Sequence, residues 1–293
     1  MSVSLASQLE NYGDPILCNY LVACVDLLGQ SEKLLDFRHA DQIHPESPSY
    51  QNWLKETFGS VRLFRQAFSN FISSINAQRE DSRLPTQLTL TDIRIIPASD
   101  SLIIYSSLYD PDGSRTVKNI NSIVTILQAL GALAPFFIAR NKPFRAGVAI
   151  GLGAEYESIG FYGPAIPLAC ELEKEADYPR ILIDPYIMEY LQAFSTWEDN
   201  SPSSRFGASQ AQYAIKLIFQ DCDGRWALDF LGTSIRKIYM NSILKDKDLH
   251  MEGYTQIQRN IAYCKNLKVR SKYLLLKEYY DSRASAWYQN GAQ

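Results

Sequence analysis

Apolar residues along this chain occur in two patterns, short runs rich in β-branched residues and longer segments with helical spacing. The short runs predict strands at residues 19–26, 93–96, 102–105, 144–151 and 179–184. The longer segments predict helices after Gly29 and at residues 53–75, 117–139, 167–176 and 185–194. Strands and helices therefore alternate over residues 18–190. This alternation predicts an α/β or α+β sandwich, with one sheet covered by helices.

A segment rich in Ser, Asn and Pro, residues 196–209, predicts a linker between two parts of the chain. The first part is residues 18–195. The second, residues 210–290, is predicted to form strands at 213–220 and 226–230 around a turn. Helices near 253–266 and 268–288 follow. We expect this hairpin and helical extension to pack on the first part.

Two aspartates occupy unusual positions in the pattern. Asp26 ends the first apolar run and precedes Leu27, Leu28 and Gly29, whereas Asp100 lies between two apolar runs that predict a hairpin. Burial of a carboxylate costs several kcal/mol unless it is paired or binds a metal ion. The two aspartates could meet on neighbouring strands. Alternatively, Asp26 caps the following helix and Asp100 only shapes a turn.

Composition and charge narrow the possible classes of function. The net charge of −3 over 293 residues argues against a general binder of nucleic acid or membrane surfaces. Five cysteines without a CxxC pair are expected in a reducing cytoplasm. The apolar stretch at 120–139 is interrupted by polar residues and proline, so we expect a buried helix and no direct membrane contact.

Other common chemistries have little support in the sequence. Only three histidines are present, which leaves little from which to build a zinc site or a serine triad. Gly147, Gly151 and Gly153 match neither a phosphate loop nor a dinucleotide-binding fingerprint. We expect these glycines to allow strand contact in a dimer. Basic residues near the C-terminus predict a solvated helix face, with an anion-binding surface as the weaker alternative: Lys265, Lys268, Arg270, Lys272 and Lys277.

Four motifs, in this order, resemble the class III nucleotidyl cyclase catalytic domain. They are Val-Asp-Leu-Leu-Gly at 25–29, Ser-Asp-Ser-Leu-Ile-Ile-Tyr at 99–105, Arg-Ala-Gly-Val-Ala-Ile-Gly at 145–151 and Gly-Pro-Ala-Ile-Pro-Leu-Ala-Cys-Glu-Leu-Glu at 163–173. Within that superfamily, the chain looks most like the bacterial pyrimidine nucleotide cyclases of Pycsar anti-phage defence systems. The resemblance covers about residues 18–190. It implies a ferredoxin-like core of one mixed sheet with helices, followed by a C-terminal β-hairpin and helices.

The resemblance also implies an activity and a site. The family match assigns two Mg²⁺ or Mn²⁺ ions to Asp26 and Asp100, with the carbonyl of Leu27 as a further ligand. Backbone N–H groups at a helix start would bind the substrate triphosphate, and they belong to Leu28, Gly29, Gln30 and Ser31. The implied reaction converts UTP or CTP to its 3′,5′-cyclic monophosphate in a head-to-tail homodimer. The product would then signal to a separate cyclic-nucleotide-responsive effector.

The sequence departs from the purine cyclases at three positions. Ile96 stands where a lysine reads a purine base, and Pro167 and Glu171 stand where an asparagine and an arginine orient the ribose and stabilise transition-state charge. Some other cation must replace that arginine, and Arg94 and Arg145 are the candidates. Tyr162 is the candidate for stacking on a pyrimidine, and Tyr105 is a second tyrosine that could do so. The alternative is a catalytically degenerate, cyclase-like nucleotide-binding or regulatory module.

Overall fold

The structure is a computed structural model, and it describes residues 16–36, 39, 44–80, 89, 91–109, 116–156, 160–197, 201–240 and 248–288. Eight strands are present in this part of the chain. They are β1 Cys18–Leu27, β2 Arg94–Ala98, β3 Ser101–Ser107, β4 Phe144–Tyr156, β5 Gly160–Tyr162, β6 Ile181–Ile183, β7 Ile218–Gln220 and β8 Trp226–Leu228.

Ten helices accompany these strands in the same part of the chain. They are α1 Gln30–Leu34, α2 Pro48–Glu56, α3 Phe58–Glu80, α4 Thr116–Ala139, α5 Ala165–Glu175, α6 Pro185–Ser195, α7 Pro202–Ile215, α8 Thr233–Met240, α9 Leu249–Tyr263 and α10 Leu267–Tyr288. The predicted α+β class is confirmed.

The central strands are antiparallel and lie in the order β2-β3-β1-β4. Helices α1 to α3 connect β1 to β2, and α4 connects β3 to β4, so the chain order is that of a βαββαβ ferredoxin-like unit. Strand β6 extends the sheet parallel to β4, and the β7–β8 hairpin continues it. The C-terminal hairpin therefore belongs to the same sheet as the central strands.

The two faces of the sheet are covered unequally. On one face, α4 lies in the main core and contacts α3, α7 and α9. Helix α4 contains a segment long and apolar enough to cross a membrane, but most of that segment is buried inside the protein, as in the core helix of a soluble protein. On the other face, α5 packs on β4 and β1 over a smaller core around Tyr20, Val22 and Cys24.

The glycines of β4 serve this second face. An added Cβ on Gly147 would overlap the backbone of α5 at Ala169 and Glu173, and one on Gly151 would press against Ala165. The close approach that these glycines allow is thus made by a helix of the same chain. The expectation that they allow strand contact in a dimer is therefore wrong.

Three predicted boundaries differ from the structure. Residues 213–215 are the end of α7, which begins at Pro202 inside the predicted linker with Ser201 as its cap. Most of the buried residues of this helix are small and weakly apolar, so the sequence does not show a helical stripe: Ser204, Gly207, Ala211 and Ala214. The strand predicted at 144–151 continues to Tyr156 as β4, because pairing with β5 prolongs it. The predicted helix at 53–75 is two helices separated at Thr57.

Candidate active site at one end of the central strands

The two predicted aspartates lie together at one end of the central strands. The register of β1 and β3 pairs Asp26 with Ser101, and the Ser101 hydroxyl donates a hydrogen bond to Asp26 Oδ1 at 2.9 Å. The N–H of Leu27 donates to the carbonyl oxygen of Asp100 at 3.3 Å. Ser99 adopts a left-handed conformation with φ of 55° and turns the chain between β2 and β3. Asp26 and Asp100 are therefore neighbours, as the two apolar runs predicted.

Arg145 is directly opposite Asp26 on the other neighbouring strand, β4. Its Nη2 atom lies 3.6 Å from Asp26 Oδ2, and its Nε atom forms an ion pair with Glu173 Oε1 of helix α5. Glu173 is only 5% exposed. The arginine thus lies between two carboxylates, and the candidate cation Arg145 is at the same end of the sheet as the aspartate pair.

Burial dominates the electrostatics of these carboxylates. It raises the pKa of Asp26, and the nearby charge of Asp100 raises it further, although Ser101 and Arg145 act in the opposite direction. The pKa of Glu173 is also raised, first by burial and then by Asp26, against the attraction of Arg145. Both carboxylates are therefore incompletely compensated. A further positive charge at this end of the sheet would stabilise their ionised forms.

The turn between β1 and α1 departs from the predicted triphosphate-binding geometry. The N–H of Leu28 donates to the carbonyl of Pro143 at 2.9 Å, so it is already used within the fold. Gly29 adopts a φ of 78°, which glycine tolerates without strain. Helix α1 has five residues, so its dipole is small. Ser31 belongs to α1, but its side chain lies outside the described part of the structure.

A cleft of about 640 Å³ lies beside Asp100, between α1, α3 and the β2–β3 turn. Gln30 lines it with a side chain that is only 2% exposed, and Gln30 Oε1 is buried without a hydrogen-bond partner. Arg62 and Arg65 of α3 also line it, and Arg65 Nη2 donates to the carbonyl of Ser99 at 2.6 Å. The cleft therefore combines two cations, an unpartnered polar group and an apolar wall of Leu34, Phe58 and Val61.

Sequence reasoning did not place four charged groups at this end, although Lys272 was among the basic residues noted near the C-terminus. Arg62 and Arg65 are spaced three residues apart on α3, on a face that does not include the buried Phe64 and Phe68. Glu173 follows Ala165 and Ala169 at a spacing of four, so its place on the buried face of α5 could have been recognised. The pKa of Lys272 on α10 is lowered, first by burial and then by the nearby charge of Arg145.

Two other candidates lie away from the aspartates within the chain. Arg94 begins β2, and the strand ends at the turn four residues later. About 13 Å of strand therefore separates Arg94 from the turn. It forms an ion pair with Glu155. Tyr162 on β5 is 70% exposed and pairs with Ala154 of β4. Ala154 lies nine residues after Arg145, which is about 30 Å along β4. The structure does not bring either residue to Asp26.

The departures from the purine cyclases have defined positions in the fold. Ile96 is partly buried in β2 and pairs with Ile103, so this position is apolar. Pro167 and Glu171 are exposed residues of α5. Neither provides a cation. Arg145, the second residue of β4, is the arginine that contacts Asp26.

The number of acidic side chains at this end of the sheet limits how a metal ion could be held there. Within the described residues, no group of three or more His, Cys, Asp or Glu side chains is suitably placed to hold a metal ion. A site formed by the two aspartates would need oxygen ligands from a substrate, which is how Mg²⁺ is commonly held by one or two carboxylates and substrate phosphates. No protein-family model matches this chain, and a search of curated proteins found no match.

Proposed function

We propose that this protein is a pyrimidine nucleotide cyclase that converts UTP or CTP to the 3′,5′-cyclic monophosphate and diphosphate. The observation that carries the proposal is the meeting of Asp26 and Asp100 at one end of a ferredoxin-like sheet, beside a cleft with cationic and apolar walls. In this reaction, the ribose 3′-oxygen forms a bond to the α-phosphorus and loses its proton. The bond from that phosphorus to the diphosphate oxygen breaks.

The carboxylates fit a hard divalent cation. Asp26 has a raised pKa and has Asp100 as its neighbour, so Arg145 alone does not compensate the charge of the pair. Mg²⁺ or Mn²⁺ would be held by Asp26, Asp100 and the carbonyl of Leu27, and would stabilise the negative charge that develops on the entering and leaving oxygens. Substrate phosphates would complete the ligand set.

The side chains around the aspartates suggest distinct roles. Arg62 and Arg65 supply cations that attract phosphate to the cleft, and the buried Gln30 offers an acceptor to a ligand in the same cleft. Arg145 forms ion pairs with Glu173 and Asp26. We therefore assign to Arg145 the stabilisation of negative charge in the transition state, which Pro167 and Glu171 cannot provide. The apolar Ile96 favours a substrate other than a purine nucleotide.

The assembly we propose is a head-to-tail homodimer. Such a dimer brings the far end of one sheet to the aspartates of the other, and there Arg94 and Tyr162 would contribute to the partner's site. The high exposure of Tyr162, together with exposed Leu152 on the neighbouring strand, supports this arrangement. We further propose a cytoplasmic role in anti-phage defence, in which the cyclic nucleotide activates a separate effector.

A second candidate function is a nucleotide-binding module without turnover. The observation that favours it is the ion pair between Asp26 and Arg145, because this arginine engages one of the two carboxylates needed by a metal ion. In this case nucleotide would bind in the cleft without forming a cyclic product.

The decisive experiment incubates the purified full chain with each of the four ribonucleoside triphosphates and Mn²⁺ or Mg²⁺, followed by mass spectrometry. We expect one pyrimidine triphosphate to give its cyclic monophosphate, and Asp100→Ala to lower the rate at least about 100-fold. Asp281→Ala, a surface change in α10, is the matched control and should retain the rate.

The outcomes separate the two candidate functions. Unchanged product formation by Asp100→Ala would contradict the metal-assisted mechanism. Nucleotide binding measured by calorimetry, without product from any triphosphate, would favour the module.

A further inference from the structure

Two thiols meet in the smaller core, close to the candidate active site. Cys24 Sγ of β1 and Cys170 Sγ of α5 are 2.7 Å apart, although 146 residues separate them in the chain. Cys24 is buried and lies two residues before Asp26. Cys170 is partly exposed and lies one helical turn before Glu173. The five cysteines of the chain are all free thiols in this structure.

We propose that Cys24 and Cys170 form a reversible disulfide when the protein meets a peroxide. Bonded sulfurs lie about 2.0 Å apart, so this pair needs a movement of less than about 1 Å to form the bridge. The thiols come from different elements, and each faces the other across the same core. This inference does not depend on nucleotide turnover.

The oxidation is balanced in two steps. In the first, the partly exposed Cys170 sulfur attacks one oxygen of hydrogen peroxide, the O–O bond breaks, and Cys170 becomes a sulfenic acid as water leaves. In the second, the Cys24 sulfur attacks the Cys170 sulfur, a second water leaves, and the S–S bond forms. Two thiols are oxidised by two electrons, and one peroxide is reduced to two waters.

The proximity of the two thiols also distinguishes their roles. The two sulfurs share a hydrogen bond, which is the main cause of the lowered pKa of Cys170. Its partial exposure gives peroxide access, whereas the buried Cys24 is within immediate reach to resolve the sulfenic acid. In a reducing cytoplasm, such a bridge would be transient and would report oxidative conditions.

The bridge would fasten α5 to β1 at the candidate active site. Cys170 and Glu173 share one turn of α5, and Glu173 holds Arg145 against Asp26. In the reduced protein, α5 is held on the sheet by packing on Gly147 and by this ion pair. Oxidation would therefore add a covalent link between the helix that carries Glu173 and the strand that carries Asp26.

The test treats the full wild-type chain with hydrogen peroxide under native conditions and maps its disulfides by mass spectrometry without reduction. We expect a peptide that links Cys24 to Cys170, with a loss of about 2 Da from the protein that dithiothreitol reverses. The linked peptide should persist in Cys222→Ser, because Cys222 is exposed on the β7–β8 turn and lies outside the smaller core that holds Cys24 and Cys170. It should disappear in Cys170→Ser.

The proposal is overturned by either of two results in the wild-type protein. One is peroxide treatment that leaves both thiols reduced. The other is oxidation of Cys170 to a sulfinic or sulfonic acid while Cys24 remains a thiol. Since both results are read in the wild-type chain, a folding defect in a variant cannot obscure them. Failure of the nucleotide assay would leave this test unaffected.

Discussion

Two arginines, Arg145 on β4 and Arg180 just before the neighbouring strand β6, each engage two carboxylates, but their surroundings have opposite effects on the carboxylate pKa values. Arg180, just before β6, donates to Asp221 Oδ2 and Asp223 Oδ2 at 2.8 Å each, and Tyr178 also donates to Asp221. Burial raises the pKa of Asp221, but the hydrogen bonds from Tyr178 and Arg180 outweigh it and the pKa is lowered. In the cluster of Arg145, Asp26 and Glu173, the pKa of Asp26 is raised despite the charge of the arginine.

The contrast distinguishes a structural cluster from a candidate functional one. The carboxylates around Arg180 are fully compensated, so their charge contributes to folding stability. Asp26 is partly buried and Glu173 is buried, and neither is fully compensated, which is the arrangement expected where a ligand or cation later binds. Their neighbour Asp100 borders a cleft, whereas the small cavity beside Arg180 has no comparable volume.

The largest effect is expected at the structural cluster. Arg180→Met keeps much of the side-chain volume but leaves Asp221 buried without its cation, so we expect the free energy of unfolding to fall by about 3–5 kcal/mol. Urea denaturation at pH 7 measures this change. Arg225→Met is the matched control, since Arg225 forms exposed ion pairs with Glu175 and Asp223 and should cost less than about 1 kcal/mol. Equal losses in both variants would contradict the distinction.

A second prediction concerns how the candidate functional cluster of Asp26, Arg145 and Glu173 is held. Gly147→Ala would place a Cβ against the backbone of Ala169 and Glu173, so α5 must shift and the free energy of unfolding should fall by about 1–3 kcal/mol. Gly59→Ala, in helix α3, is the control, because its added Cβ would meet only ordinary contacts with Leu54 and Lys55 of α2. It should be neutral or stabilising by up to about 1 kcal/mol. Thermal or urea unfolding compares the two, and an unchanged Gly147→Ala variant would show that α5 does not depend on this close approach.

Local sequence signals predicted much of the core and the aspartate pair. The apolar run ending at Asp26 and the hairpin around Asp100 are short-range patterns, and the strand register follows from them. The Arg145–Glu173 ion pair depends on α5 packing across Gly147, a contact between distant parts of the chain that no local pattern contains. Arg65 reaches the hairpin only through the fold.

Arg94 is close to Asp100 in the sequence, but the structure does not place it beside the aspartates of its own chain. Arg94 is six residues before Asp100, but an extended strand carries it away from the turn. An extended strand advances about 3.3 Å per residue, so a few residues separate two ends of a sheet. The predicted linker at 196–209 and the predicted strand start at residue 213 were wrong. Helix α7 occupies much of this region, and its buried residues are small, so the sequence there resembles a linker.

A third prediction uses pH to test the structural cluster. The pKa of Asp221 is lowered in the folded protein, so its ionised form contributes stability above the unfolded value of about 3.9, and this contribution is lost as the pH falls through the folded pKa. Asp221→Asn should therefore destabilise the protein at pH 7 and approach the wild type as the pH is lowered from about 5 to about 2. A difference in unfolding free energy that is constant over this range would contradict the lowered pKa.

The smallest effect on stability is expected for Asp26→Asn, with the opposite dependence on pH. Because the pKa of Asp26 is raised on folding, wild-type stability from this group is greatest below the unfolded pKa and declines as the pH rises through the folded one. The amide retains an acceptor for Ser101 and avoids the burial of a charge. The variant should thus gain relative to the wild type between pH 4 and 7, by no more than about 1 kcal/mol. Urea unfolding at both pH values measures the gain, and a loss that grows with pH would place Asp26 with the structural carboxylates.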